Sequence, residues 1–171
     1  LQDNGPFEKG WALGYNENTF TFALSTTGAN DGDGLMTYLP GKTPFVAGKM
    51  YHLAGVYDGA TMSLYVNGKL DATSDKQSGS ILYPPKAPVT LAGYRDDNEN
   101  HPLHGTVRSV AIYDVAAKPA WIEKEFGRHK HLTESKAAIV EPEKLEFTVK
   151  PYLQFATQTS VTVMWETTRL G

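Results

Sequence analysis

Two glycine corners divide residues 49–72 (KMYHLAGVYDGATMSLYVNGKLDA) into three runs that each read as a strand. Residues 51–57 are rich in aromatic and β-branched side chains, and Asp58-Gly59 interrupts them. Within 62–66, Met62, Leu64 and Val66 fall on one side and Ser63, Tyr65 and Asn67 on the other, because successive side chains of a strand point to opposite faces. Asn67-Gly68 is the dipeptide best suited to a two-residue hairpin, since a type I′ turn requires positive φ at both central positions. Leu70 and Ala72 open the return run. A slip of one residue would turn every apolar side chain to the wrong face. The pattern therefore predicts an antiparallel meander with one buried side.

The flanking sequence continues in the same style. Residues 1–10 read as a polar entry loop around Asn4-Gly5-Pro6. Residues 11–15 and 19–25 read as strands parted by the turn Asn16-Glu17-Asn18, with Phe20, Phe22 and Leu24 alternating with Thr19, Thr21 and Ala23. A Gly/Asp loop (26–34) leads to a short strand, 35–39, that Pro40-Gly41 should end. Beyond the meander come a polar turn (75–79) and a proline-punctuated stretch (80–88), which suits an edge or a loop because proline cannot donate to a ladder. Residues 89–94 (VTLAGY) and 105–113 (GTVRSVAIY) are expected strands on either side of a charged loop, 95–102. Helical spacing first appears at 118–126, with Pro119 suited to the first turn and Gly127 to the stop. Many short strands parted by Gly, Asp, Asn and Pro indicate an all-β chain, a β-sandwich of the jelly-roll type with one short C-terminal helix. Residues 128–144 are charged and aperiodic and read as a linker. Residues 145–153 and 160–167 look like two strands, with Trp165 expected to point into a core. They would be the first strands of a second β-sandwich, which needs roughly seven. The expected division is thus a jelly roll over 1–127, a linker over 128–144, and an incomplete second domain over 145–171.

Composition narrows the function. With 171 residues and 40% hydrophobic content, the chain can bury a sizeable core. Its net charge is −3, with Lys and Arg scattered, so no basic face suits nucleic acid or an anionic membrane. No apolar stretch approaches the roughly 20 residues of a membrane span. Cysteine is absent, which removes disulfides, thiolate metal sites and cysteine nucleophiles. No Gly-x-Ser-x-Gly elbow occurs, and no strand carries the alternating carboxylates that would let two acids face each other across a cleft, as glycoside hydrolysis requires. Gly32 and Gly34 precede a strand rather than a helix and so make no phosphate cradle. The chain begins at Leu1 without a signal-peptide pattern and is expected to be a fragment or a processed product.

Residues 51–70, YHLAGVYDGATMSLYVNGKL, resemble the signature hairpin of the laminin-G-like, concanavalin A-like jelly rolls of bacterial multidomain proteins. LAGY (91–94), followed by GTVRSVAIYDVA (105–116) and a short helix, resembles the closing strands of the same family. The resemblance covers 11–126. Arg108 and Ser109 depart from it, standing where the family commonly has an acidic pair. The family's opening strands have no counterpart here, which implies a truncated or unusually short domain. Such a sandwich would leave sheet edges open, so strand exchange or edge pairing between chains is expected. The tail, KPYLQFATQTSVTVMWETT (150–168), resembles the start of the fibronectin type III-like domain that precedes the catalytic domain of purple acid phosphatase-like metallophosphoesterases. Together the resemblances imply a binding or adhesion module for carbohydrate or another extracellular ligand, within a secreted, periplasmic or cell-surface bacterial protein. A downstream phosphoesterase domain would hold its own dinuclear metal. The alternative is a spacer that positions that domain, and a glycosidase on the same fold ranks last.

The candidate residues follow from polar loops and aromatics. Asn30 and Asp31 in one loop, and Arg95, Asp97, Asn98 and Asn100 in another, offer donors and acceptors for a polyhydroxylated ligand, with Tyr65 and Tyr94 as stacking platforms. Trp11 and Tyr15 are further aromatics of this kind, although strand aromatics usually belong to a core. Asp31, Asp33, Asp96 and Asp97 could supply oxygen ligands to calcium, a hard cation bound by carboxylates and carbonyls. The alternative for both loops is an ordinary solvated turn. His129-Lys130-His131 has metal-ligand spacing but reads as solvated linker. His52 reads as a packed strand residue rather than a base.

Overall fold

A computed structural model describes residues 2–4, 7–29, 36–83, 85, 89–95, 99–134, 147–154 and 162–167, with side chains for those between 9 and 134. The chain forms two compact units, Leu1–Ala137 and Ala138–Gly171. In the first, β1 (Gln2–Asn4) and β2 (Phe7–Lys9) make a short hairpin where the sequence reads as loop. One three-stranded antiparallel sheet has the order β3 (Trp11–Asn16), β4 (Thr19–Leu24), β5 (Thr37–Pro44). A second consists of β6 (Leu53–Tyr57), β7 (Met62–Val66) and β8 (Lys69–Ser74). They are followed by the hairpin β9 (Gly93–Arg95)/β10 (Asn100–Pro102) and the helix α1 (Pro119–Glu134). The second unit contains the antiparallel pair β11 (Phe147–Gln154) and β12 (Thr162–Thr167). Trp165 and the core expected around it lie outside the described side chains.

The meander folds as its alternation predicts. Asn67 and Gly68 take φ of 50° and 77°, as a type I′ turn demands. The Asn67 side chain accepts from the His52 N–H at 2.9 Å, and its own N–H donates to the His52 carbonyl at 2.8 Å. At the other corner the Asp58 carboxylate accepts from the N–H groups of Thr61 (2.7 Å) and Ala60 (3.0 Å). Those two bonds hold its pKa below the ordinary value. Met62, Leu64 and Val66 are buried against Phe20, Phe22, Leu24 and Leu39 of the first sheet, with Ala72 completing the cluster. This is the all-β sandwich expected.

Several boundaries differ from the sequence reading. Pro40-Gly41 does not end β5. The strand lies at the sheet edge, where a missing N–H costs no ladder bond. The register jumps there, from Thr21↔Pro40 to Thr19↔Pro44. Asp71 of β8 then clamps the far half, its carboxylate accepting from Lys42 N–H at 2.7 Å, Thr43 N–H at 3.2 Å and the Thr43 hydroxyl. A Cβ at Gly41 would collide with that carboxylate. Nor does Gly127 stop the helix. α1 continues through residues read as linker, supported by Glu125–Arg128 and Lys130–Glu134 ion pairs and by the Thr133 hydroxyl bonding the Lys130 carbonyl. An interior glycine costs a helix only about 1 kcal/mol. Residues 89–92 are not strand, and β10 occupies part of the expected loop 95–102. Residues 105–113 form no strand either, because no neighbouring chain among the described residues pairs with them.

Gly55 sets the separation of the two sheets. A Cβ built there would lie 2.6 Å from the Phe22 ring, well inside contact distance. Gly55→Ala should therefore destabilise the domain by about 1–3 kcal/mol, the usual range for overpacking, and Phe22→Leu in the same chain should recover part of the loss. Urea denaturation checks this, and an unchanged midpoint for Gly55→Ala would contradict it.

Candidate functional site

The outward side of the first sheet carries an open groove of about 280 Å3 lined by Asn16, Glu17, Asn18, Thr19, Thr21, Tyr38 and Pro40. Alternation builds it. Phe20, Phe22 and Leu24 of β4 face the core, so Thr19 and Thr21 face outward. Across the ladder, Leu39 is buried and Tyr38 is 49% exposed. The β3–β4 turn supplies the end wall, with Glu17 at a φ of 50°. The Thr21 hydroxyl is buried without a hydrogen-bond partner among the described residues. The groove thus joins one aromatic ring to amides, a carboxylate and hydroxyls. None of its residues was singled out from sequence. The Thr-x-Thr alternation and the Asn-Glu-Asn turn look like solvent face and connection, and the register that brings Tyr38 beside them cannot be read from one strand.

The predicted residues divide. Tyr94, Arg95 and Asn100 all lie on the β9/β10 hairpin, but Arg95 and Asn100 share one face of it and Tyr94 is on the other. Arg95 lies directly opposite Asn100 and Tyr94 opposite His101, whose rings are stacked with centroids 6.2 Å apart. His101 was missed for lack of any local signal. Asp96, Asp97 and Asn98, and Asn30, Asp31 and Asp33, lie outside the described residues. Tyr65 does not join a site. It is 5% exposed and lies on the helix-facing side of β7, so no ring face is open to a ligand. Trp11 packs against the core, while Tyr15 is half exposed, its ring edge-on to Phe45 at 5.3 Å. Among the described residues no His, Asp or Glu group of three or more could hold a metal, and no helix is long and apolar enough to cross a membrane.

A buried glutamine fixes the rim that leads into residues 30–35. Gln77 is fully buried. Its carbonyl accepts from the Thr26 N–H (2.8 Å) and hydroxyl (2.7 Å), and its amide donates to the Thr37 hydroxyl at 3.0 Å. Residues 26–28 then pair with 78–80 through Thr27 N–H to Ser80 carbonyl (3.0 Å) and Gly28 N–H to Ser78 carbonyl (2.9 Å). The Tyr57 hydroxyl donates to the Gly79 carbonyl at 2.9 Å, and burial raises its pKa.

On the opposite side of the molecule α1 closes over the second sheet. His52 alternates with core-packed Leu53, so its ring points away from the core, 6.0 Å from Phe126. Phe126 also occupies the space a Cβ would need at Gly68. His52 Nδ1 is buried with no hydrogen-bond partner among the described residues. Burial lowers the pKa of His52, and His129 lowers it further, against a smaller opposing pull from Glu125.

A family model described as the concanavalin A-like lectin/glucanases superfamily, of laminin-G type, matches residues 2–123. Pappalysin-1 of Mus musculus is 29% identical over 119 residues, covering 64% of this chain and 7% of that protein. Pappalysin-1 of Homo sapiens is 28% identical over 132 residues, covering 71% of this chain and 8% of its own length. The chain therefore spans less than a tenth of these curated relatives. Among solved structures, an S-layer domain-containing protein from Clostridium thermocellum is similar with a TM-score of 0.42 and 19% identity, over 72% of this chain and 59% of that one.

The helix seam predicts a pH response. The unfolded chain protonates His52 near the ordinary value of 6.5, and the folded chain only at lower pH. The stability that depends on neutral His52 is therefore complete above 6.5 and is lost as pH falls below it. Melting temperature should drop between pH 7.5 and 5.5 in the parent chain, and less steeply in His52→Gln. Parallel slopes would show that the seam does not sense pH through this ring.

Proposed function

The chain belongs to the concanavalin A-like lectin/glucanases superfamily, and we propose that it works as a non-catalytic binding module whose ligand is carbohydrate. The observation that carries this reading is the groove on the first sheet. A sugar ring presents an apolar face of C–H groups and a rim of hydroxyls. Tyr38 offers an exposed ring for the first, and Asn16, Glu17 and Asn18 offer donors and acceptors for the second. A secreted or cell-surface setting fits such a ligand.

A second reading rests on residues 138–171, which form a separate compact unit with an antiparallel pair at the PYLQ segment. In this reading the module positions a downstream phosphoesterase domain. Removing residues 1–127 from the parent protein should then lower its phosphatase activity or its stability.

Glycan-array binding, run with and without calcium, tests the first reading. The calcium arm also decides whether the ion read from Asp31, Asp33, Asp96 and Asp97 takes part. Tyr38→Ala should weaken binding about tenfold, equivalent to ~1.4 kcal/mol, with the melting temperature unchanged. Absence of glycan binding in both arms, or binding indifferent to Tyr38→Ala, would overturn the reading.

A further inference from the structure

The groove on the first sheet carries a single charge. Of its seven lining residues Glu17 alone is charged; the others are amides, hydroxyls, a phenol and a proline ring. Lys42 follows Tyr38 and Pro40 on the outward side of β5, by alternation, but does not line the groove. Glu17 is exposed, and its carboxylate takes part in no hydrogen bond or ion pair among the described residues. The backbone gives no reason for a glutamate here either. Glu17 is the first of the two residues that link β3 to β4, at a φ of 50°. That region favours glycine over any residue with a Cβ. A side chain that is strained at its own backbone and unbonded to the rest of the described chain adds nothing to the fold. What it adds is a negative charge on the end wall of an otherwise neutral groove.

That charge ranks the sugars the groove can accept. A neutral hydroxyl gives the carboxylate an ordinary hydrogen bond. An ammonium gives it a charge-assisted one, roughly twice as strong. A uronate or a sulfated sugar brings a second negative charge, and no cation lines the groove to meet it. Like charges set against each other reject such a ligand. The net charge of −3 on the whole chain acts in the same direction. A lysine side chain of a peptide would also satisfy Glu17, but it would leave the amides of Asn16 and Asn18 and the Thr19 hydroxyl without the ring of hydroxyls that suits them. We propose that the groove selects an amino sugar, whose ammonium lies against Glu17 while its ring lies on Tyr38. This rests on the carbohydrate reading and narrows it to one charge class.

Calorimetric titration of the 171-residue chain at pH 6.5, where the amine is protonated, tests this with three oligosaccharides of equal length. They are a glucosamine oligomer, its N-acetylated counterpart and an oligogalacturonate. The glucosamine oligomer should bind about fivefold more tightly than the N-acetylated one, the upper range for an exposed ion pair. The oligogalacturonate should bind weakest. Added salt should shrink the amine's advantage by screening it. Glu17→Gln keeps an acceptor and removes the charge, and should bring the first two oligomers to within about twofold of each other. Glu17→Gly should do the same without lowering the melting temperature, since glycine is unstrained at positive φ. Tyr38→Ala should weaken both oligomers alike and leave their ratio unchanged. An equal or reversed order among the three, or an amine preference that survives Glu17→Gln, would overturn the inference and leave carbohydrate binding in place. If none of the three binds, the inference falls, and the glycan array decides the reading beneath it. A lysine-rich peptide bound as tightly as the amino sugar, and lost with Glu17→Gln, would assign the carboxylate to a protein cation and overturn it as well.

Discussion

The Phe22 ring lies against the backbone of Gly55, and that approach governs the rest of the sandwich. It brings β4 and β6 close enough for Phe20, Leu24 and Leu39 to interdigitate with Met62, Leu64, Val66 and Ala72. Each of these side chains except that of Ala72 stabilises by about 1.5–3 kcal/mol when fully buried. A strand has two faces, so committing Phe20, Phe22 and Leu24 to the core also commits Thr19 and Thr21 to the outside. The groove beside Tyr38 is thus a consequence of core packing, made from the residues the core does not use.

Features set by neighbours in sequence were legible. Positive φ at Asn67-Gly68, the Asp58-Gly59 corner and the alternation of Met62, Leu64 and Val66 depend on a few adjacent residues, and all appear in the structure as read. Features set by distant partners were not. β5 runs past Pro40-Gly41 because Asp71, nearly thirty positions on, accepts its N–H groups. Residues 105–113 have the alternation of a strand, yet alternation cannot supply the neighbour that turns an extended chain into a ladder. Tyr65 looked available because its side of β7 reads as polar. What closes that side is a helix that begins more than fifty residues later.

The candidate site divides along the same line. Tyr94, Arg95 and Asn100 were visible as polar and aromatic residues of one stretch; they share one hairpin, with Arg95 and Asn100 on one face and Tyr94 on the other. The groove was not visible, since Asn16, Thr21 and Tyr38 belong to three different segments whose proximity depends on register. Gln77 was hidden for the same reason. A glutamine in a polar turn signals nothing until Thr26 and Thr37 are brought to it, some fifty and forty positions away.

The two outer faces of the sandwich end in different states, and α1 is the cause. The first two turns of the helix set Phe126 against His52 and Gly68 while Ile122 is buried completely. The outside of the second sheet becomes an interior seam, where a histidine is held neutral by burial. Among the described residues no helix covers the outside of the first sheet, and the Tyr38 ring remains half exposed there. Residues 105–117, which lead into the helix, take part in neither face. Among the described residues the one helix is spent on the second sheet, and the first is left free to meet a ligand.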